Sequence, residues 1–193
     1  MAAMLALLAL PATAFAQDAQ AQLERLQGDL LSGASATAIL GQWCADHRLA
    51  DPPRIAALRD PATAAPAPPE VRRRLGARAG EAIAYRRVRL ACGERILSEA
   101  DNWYLPDRLT PAMNDVLDHT DTPFGQAVKA LDFHRVTIEA RRLWRGPSAE
   151  PPPPQVLRIE AVLISGAGAP FALVRETYRA DLFARPLAGA AGG

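Results

Sequence analysis

Three groups of residues in this 193-residue chain are of the types that hold and transform small acids. Arg87 lies on an arginine-bearing segment, Glu176 stands in an apolar run near the C-terminus, and Thr122-Pro123-Phe124-Gly125 forms a turn between them. A guanidinium offers a planar fork of donors that matches a carboxylate with two parallel hydrogen bonds, fixing orientation as well as charge. A glutamate in a closed apolar pocket has its charged form disfavoured by desolvation, so it can exchange a proton nearer neutrality. Both residues also have plainer readings. Arg87 lies beside Arg86 and two residues from Arg89, as on a solvated strand face, and a one-residue register slip would hand its role to Arg86. Glu176, following Arg175 and close to Arg179, suits a cross-strand ion pair.

Other chemistry finds little support. His47, His119 and His134 are far apart, and Cys44-x-x-His47 alone falls short of the four ligands of a structural zinc site, so no metal is expected. Asp118, His119 and Asp121 read as a polar helix end, and Trp43, Trp103 and Trp144 as core or pocket walls. No serine nucleophile elbow or phosphate-cradling glycine loop is present. A net charge of +1, with acids spread among the arginines, forms no basic stripe, so nucleic acid is not an expected partner.

The N-terminus reads as a secretory signal, Met1 to Ala16. An apolar run from Met4 to Leu10 precedes Pro11 and Ala14-Phe15-Ala16, a small-x-small cleavage site, although no positive residue stands before the run. The run is shorter than the roughly 20 residues that span a bilayer, so no integral membrane segment is expected after cleavage, and the location is periplasmic or secreted. Cys44 and Cys92 are an even pair for an oxidising compartment; they form either one disulfide or two buried thiols.

The elements that must position these residues follow from periodicity. Leu23, Leu26, Leu30 and Leu31 predict an amphipathic helix over Ala19 to Leu31, and Ser35 is placed to cap a second helix from Ala36 to about His47. Recurrent prolines make Asp51 to Pro69 a loop. Ala82 to Cys92 predicts a strand with Val88, Leu90 and Cys92 on one face and Tyr85, Arg87 and Arg89 on the other. Gly93-Glu94 turns it into Ile96 to Leu105, short helical pieces follow around Leu109 to Leu117 and Gln126 to Leu131, and three more strands cover Phe133 to Trp144, Val156 to Ser165 and Phe171 to Tyr178. The layout is α+β: an antiparallel sheet of about five to six strands with helices covering one face. One domain over residues 17–186 is expected, with a flexible tail over 187–193.

In order and spacing, these pieces resemble the chorismate lyase family. The resemblance rests on Arg87 five positions before Cys92, then Gly93-Glu94, Pro106, the Thr122 to Gly125 turn, Leu143-Trp144, Ser165-Gly166, Pro170 and Glu176, with Ser35-Ala36-Thr37 at the head of the second helix. The pattern covers most of Leu30 to Phe183 and is similar also to the ligand-binding UTRA domains of transcription regulators. It implies a site in which Arg87 holds a ring carboxylate, Glu176 sits at the reacting end, and the backbone N–H groups of Phe124 and Ala36 complete the pocket. It also implies elimination of pyruvate from chorismate to leave 4-hydroxybenzoate, with no metal or organic cofactor.

Two features depart from the family. Asn102-Trp103-Tyr104 fills a stretch where the lyase has an arginine near the pocket, and an exported enzyme would rarely meet chorismate, a cytoplasmic metabolite. Two readings therefore stand: an exported chorismate lyase-like enzyme acting on a small cyclic or aromatic carboxylate, and a non-catalytic periplasmic binding or accessory protein on the same scaffold.

Overall fold

The computed structural model describes residues 12–60, 66–146 and 152–183. The signal segment before Ala12 and the tail over 187–193 lie outside them, and the expected cleavage point after Ala16 falls within the first helix.

Two helices open the described chain, α1 (Ala12–Leu31) and α2 (Ala36–Asp46). Leu23, Leu26 and Leu30 recur at three- and four-residue intervals on α1 and are all buried, as the amphipathic spacing requires. Then come β1 (Ile55–Arg59), α3 (Pro69–Leu75), β2 (Ala84–Cys92), β3 (Arg95–Tyr104), α4 (Pro111–His119), α5 (Phe124–Ala127), β4 (His134–Arg142), β5 (Gln155–Ile164) and β6 (Pro170–Arg179).

The six strands make one antiparallel sheet in the order β1-β2-β3-β6-β5-β4. β2 and β3 form a hairpin; the chain then crosses through α4 and α5 to the far edge, and β4, β5 and β6 meander back until β6 pairs with β3. Gly93, in the β2–β3 turn, has φ +59°, and a Cβ there would lie 2.8 Å from the Cβ of Ala50. Left-handed backbone and close approach together require glycine at this turn.

Helices α1, α2, α4 and α5 cover one face of the sheet. The leucines of α1 and α2 pack with Val88, Leu90, Ala100, Ile159 and Tyr178, while Met113, Leu117 and Phe124 pack with Tyr104, Leu163, Ala172 and Val174 at the other end. The opposite face is shielded only in part, where Val71 and Leu75 of α3 meet Trp103, Val162 and Leu173. The rest of that face carries ion pairs, among them Arg175 with Glu160 at 2.7 Å.

The proline-rich stretch is a correction to the expected loop. Residues 55–59 add an edge strand to β2, and α3 starts at Pro69. Ile-Ala-Ala-Leu-Arg is short and lacks alternation, so only pairing with β2 fixes it as a strand; proline is tolerated at such an edge and at the first turn of a helix. Cys44 at the end of α2 and Cys92 at the end of β2 form a disulfide, Cα–Cα 6.1 Å, which ties α2 to the sheet.

Candidate functional site

Between the two clusters on the helix-covered face the apolar packing is interrupted. Sheet pairing sets Val88, Ala100, Glu176 and Ile159 in one cross-strand row, and Arg86, Asn102, Val174 and Ala161 in the next. Side chains alternate between faces along a strand, so these rows share the face under α2 and α5. A cavity of about 30 Å³ lies there, walled by Val88, Leu90, Phe124, Leu163 and Val174 and reached by the polar groups of Asn102, Arg135 and Glu176. Its room is that of one or two water molecules.

Its floor is an ion pair. Arg135 of β4 donates from Nη2 to Glu176 Oε2 at 2.7 Å and from Nη1 to Oε1 at 3.3 Å, and Tyr178 donates its hydroxyl to Oε2 at 2.8 Å. The side chains of Arg135 and Glu176 are 2% and 8% exposed. Burial, the largest influence, would by itself lower the pKa of Arg135, but Glu176 and Tyr178 together outweigh it and hold the guanidinium above its ordinary value. Tyr178 is pushed well above the usual phenol range by burial first and by Glu176 second. Arg135 Nε has no protein partner.

The rim is formed by Ser35, Ala36 and Thr37 at the start of α2 and by Phe124-Gly125 at the start of α5. Ser35 stands at the cap position of α2 but makes no side-chain cap bond. Its Oγ instead lies against Gly125, 2.6 Å from where a Cβ would sit. The first N–H groups of a helix have no acceptor within it, so α2 presents backbone donors at the cavity mouth.

Of the expected site residues, Glu176, Phe124 and Ala36 converge on the cavity. Arg87 does not join them. It lies on the other face of the sheet, half-exposed, 3.4 Å from Asp101 and 3.6 Å from Glu99. The strand's alternation, with Val88 and Leu90 inward, turns Arg86 to the helix-covered side instead. Arg86 is 6% exposed and donates from Nη2 to the carbonyls of Thr120 and Thr122, both at 3.1 Å, beneath the turn that leads into α5. Its Nε and Nη1 lack partners, and among the described residues no carboxylate pairs with it. Burial, and next the nearby Arg59, lower its pKa. Asn102, on the stretch without the family's arginine, lines the cavity and donates to the carbonyl of Arg86 at 3.1 Å. Arg135 carried no sequence signal: it opens a strand of mixed pattern, and only the sheet order brings it across β5 to Glu176.

The architecture is the chorismate lyase-like fold, shared with an effector-domain neighbour among the solved structures. The effector domain of PhnF from Mycobacterium smegmatis superposes with a TM-score of 0.52 at 14% identity, over 77% of this chain and 90% of that one. A possible transcriptional regulator, YydK from Bacillus subtilis subsp. subtilis str. 168, matches with a TM-score of 0.46 at 14% identity, over 69% of this chain and 60% of its own length. No family model matches the chain. In sequence, the chain is 46% identical over 177 residues to uncharacterized protein y4mC of Sinorhizobium fredii (strain NBRC 101917 / NGR234), covering 83% of this chain and 75% of that protein, and it belongs to the same family.

Proposed function

We propose that the chain is an exported protein that binds a small cyclic or aromatic carboxylate without turning it over. One observation carries the reading: the apolar cavity of the helix-covered face, with the buried Arg135–Glu176 pair as its floor and the start of α2 and the Phe124-Gly125 turn as its rim. Apolar walls with a few convergent polar groups are the usual makeup of a small-molecule site, and the likeness of fold to an effector domain supports it. The ring lies at the mouth formed by Ser35 and Gly125, where the cavity meets a larger outer cleft. The N–H groups at the start of α2, on the rim, supply donors for the carboxylate.

Binding is favoured over lyase chemistry by the state of Glu176. Both oxygens of its carboxylate already accept hydrogen bonds from within the protein, from Arg135 and Tyr178, rather than being left to a substrate. Export is supported by the signal-like segment Met1 to Ala16 and by the Cys44–Cys92 bridge, a bond characteristic of oxidising compartments.

The test is heat denaturation of the purified mature protein with 4-hydroxybenzoate and with chorismate, while pyruvate release is followed. A raised Tm without pyruvate is expected. Pyruvate release lost on Glu176→Gln would establish the lyase, and no Tm change with either acid would remove the carboxylate reading. Mass spectrometry of the exported chain, expected to begin at Gln17, tests the signal.

A further inference from the structure

Beyond the cavity mouth lies a larger cleft, about 580 Å³, bounded by the start of α2, the approach to β1 and the segment from Gly125 to Phe133. It shares Ser35, Thr37, Gly125 and Phe133 with the inner cavity, so the two spaces adjoin at these residues. Its volume falls in the range of small-molecule sites, whereas the inner space does not.

Two cations line the cleft: Arg54, just before β1, and Lys129, the only lysine in the chain. Asp132 is the one acid among the lining residues, and among the described residues neither cation forms an ion pair with it or with any other carboxylate. Several other arginines among the described residues, Arg87, Arg108, Arg135, Arg175 and Arg179 among them, pair with acids. Two unneutralised cations lining one cleft, together with the positive end of α2, raise the local concentration of anions.

We infer that the ligand carries a second anionic group, a carboxylate or a phosphate, which Arg54 and Lys129 hold in the outer cleft while its ring lies at the mouth of the inner cavity. The inference rests on the carboxylate-binding reading above and names the ligand as an elongated dianion.

The test compares 4-hydroxybenzoate with its phosphate ester, 4-phosphonooxybenzoate, by titration calorimetry on the native protein and on the double variant Arg54→Gln/Lys129→Gln. The ester is expected to bind at least tenfold more tightly to the native protein, with that advantage lost in the variant and the affinity for 4-hydroxybenzoate unchanged. An advantage that survives in the variant, or none in the native protein, overturns the inference. Should neither acid bind, the cavity reading fails by itself; inorganic phosphate followed by amide NMR then decides the cleft, with shifts at Arg54, Gln126 and Lys129 upholding the anion site and their absence ending it.

Discussion

Arg135 and Glu176 meet across an intervening strand: β4 and β6 are not neighbours, yet the two side chains form a double hydrogen bond over β5 with almost no exposure to solvent. Each of the two makes the other tolerable in an apolar setting, because an unpaired buried charge is costly.

Removing one partner should therefore destabilise more than removing both. Glu176→Gln or Arg135→Met is expected to lower unfolding free energy by about 3–5 kcal/mol, and the double variant Arg135→Met/Glu176→Leu by much less than the sum. Urea denaturation of the three variants measures the coupling; additive losses would show that the pair is not a unit.

The two neighbouring arginines should separate cleanly. Arg87→Ala, on the half-exposed face, is expected to cost on the order of 0–1 kcal/mol and to leave ligand affinity untouched. Arg86→Met breaks the bonds to Thr120 and Thr122 and is expected to cost about 1–3 kcal/mol and to weaken binding. Equal effects on binding would contradict the face assignment.

Gly125→Ala probes the mouth. The added methyl meets the Ser35 hydroxyl, which can rotate away, while alanine suits the helical backbone at that position. Stability should hold within about 1 kcal/mol, while the affinity for 4-hydroxybenzoate changes. A variant binding as the native protein does would place ligand entry elsewhere.

Stability should fall on the alkaline side. Tyr178 is held above its ordinary value by burial, and Tyr85 is pushed up to about 12 by burial and then by Asp101. The unfolded phenols ionise near pH 10 while the folded ones keep their protons. Their contribution is thus full below about pH 10 and is lost as pH rises toward the folded values. Denaturation midpoints at pH 8, 10 and 11 read this limb, and Tyr178→Phe should flatten it.

Reduction tests the bridge. Cys44 and Cys92 are 48 positions apart, and opening a loop of that length is expected to cost about 2–4 kcal/mol. A Tm unchanged by dithiothreitol, with both thiols shown to be free, would mean that the bridge adds nothing.

Where local signals were strong the sequence was readable. Leucine spacing on α1, the alternation of Val88, Leu90 and Cys92, and the Gly93-Glu94 turn marked elements the structure contains. β1 was not readable, because five residues between prolines become a strand only by pairing with β2. Glu176, Phe124 and Ala36 were singled out through a family's order of motifs, and the structure places all three on one cavity. Arg87 was chosen by that order, yet the alternation that sends Val88 inward sends Arg87 out and Arg86 in.

The sequence by itself determined the α+β layout, the inward face of each strong strand and the pair of cysteines able to bridge, because periodicity and residue type act locally. Tertiary structure alone decided that Arg135 reaches Glu176, that Ser35 closes on Gly125 and that Arg54 faces the same cleft as Lys129. Those contacts join residues tens of positions apart, and their geometry depends on strand order and register, which only the packing of the whole sheet fixes.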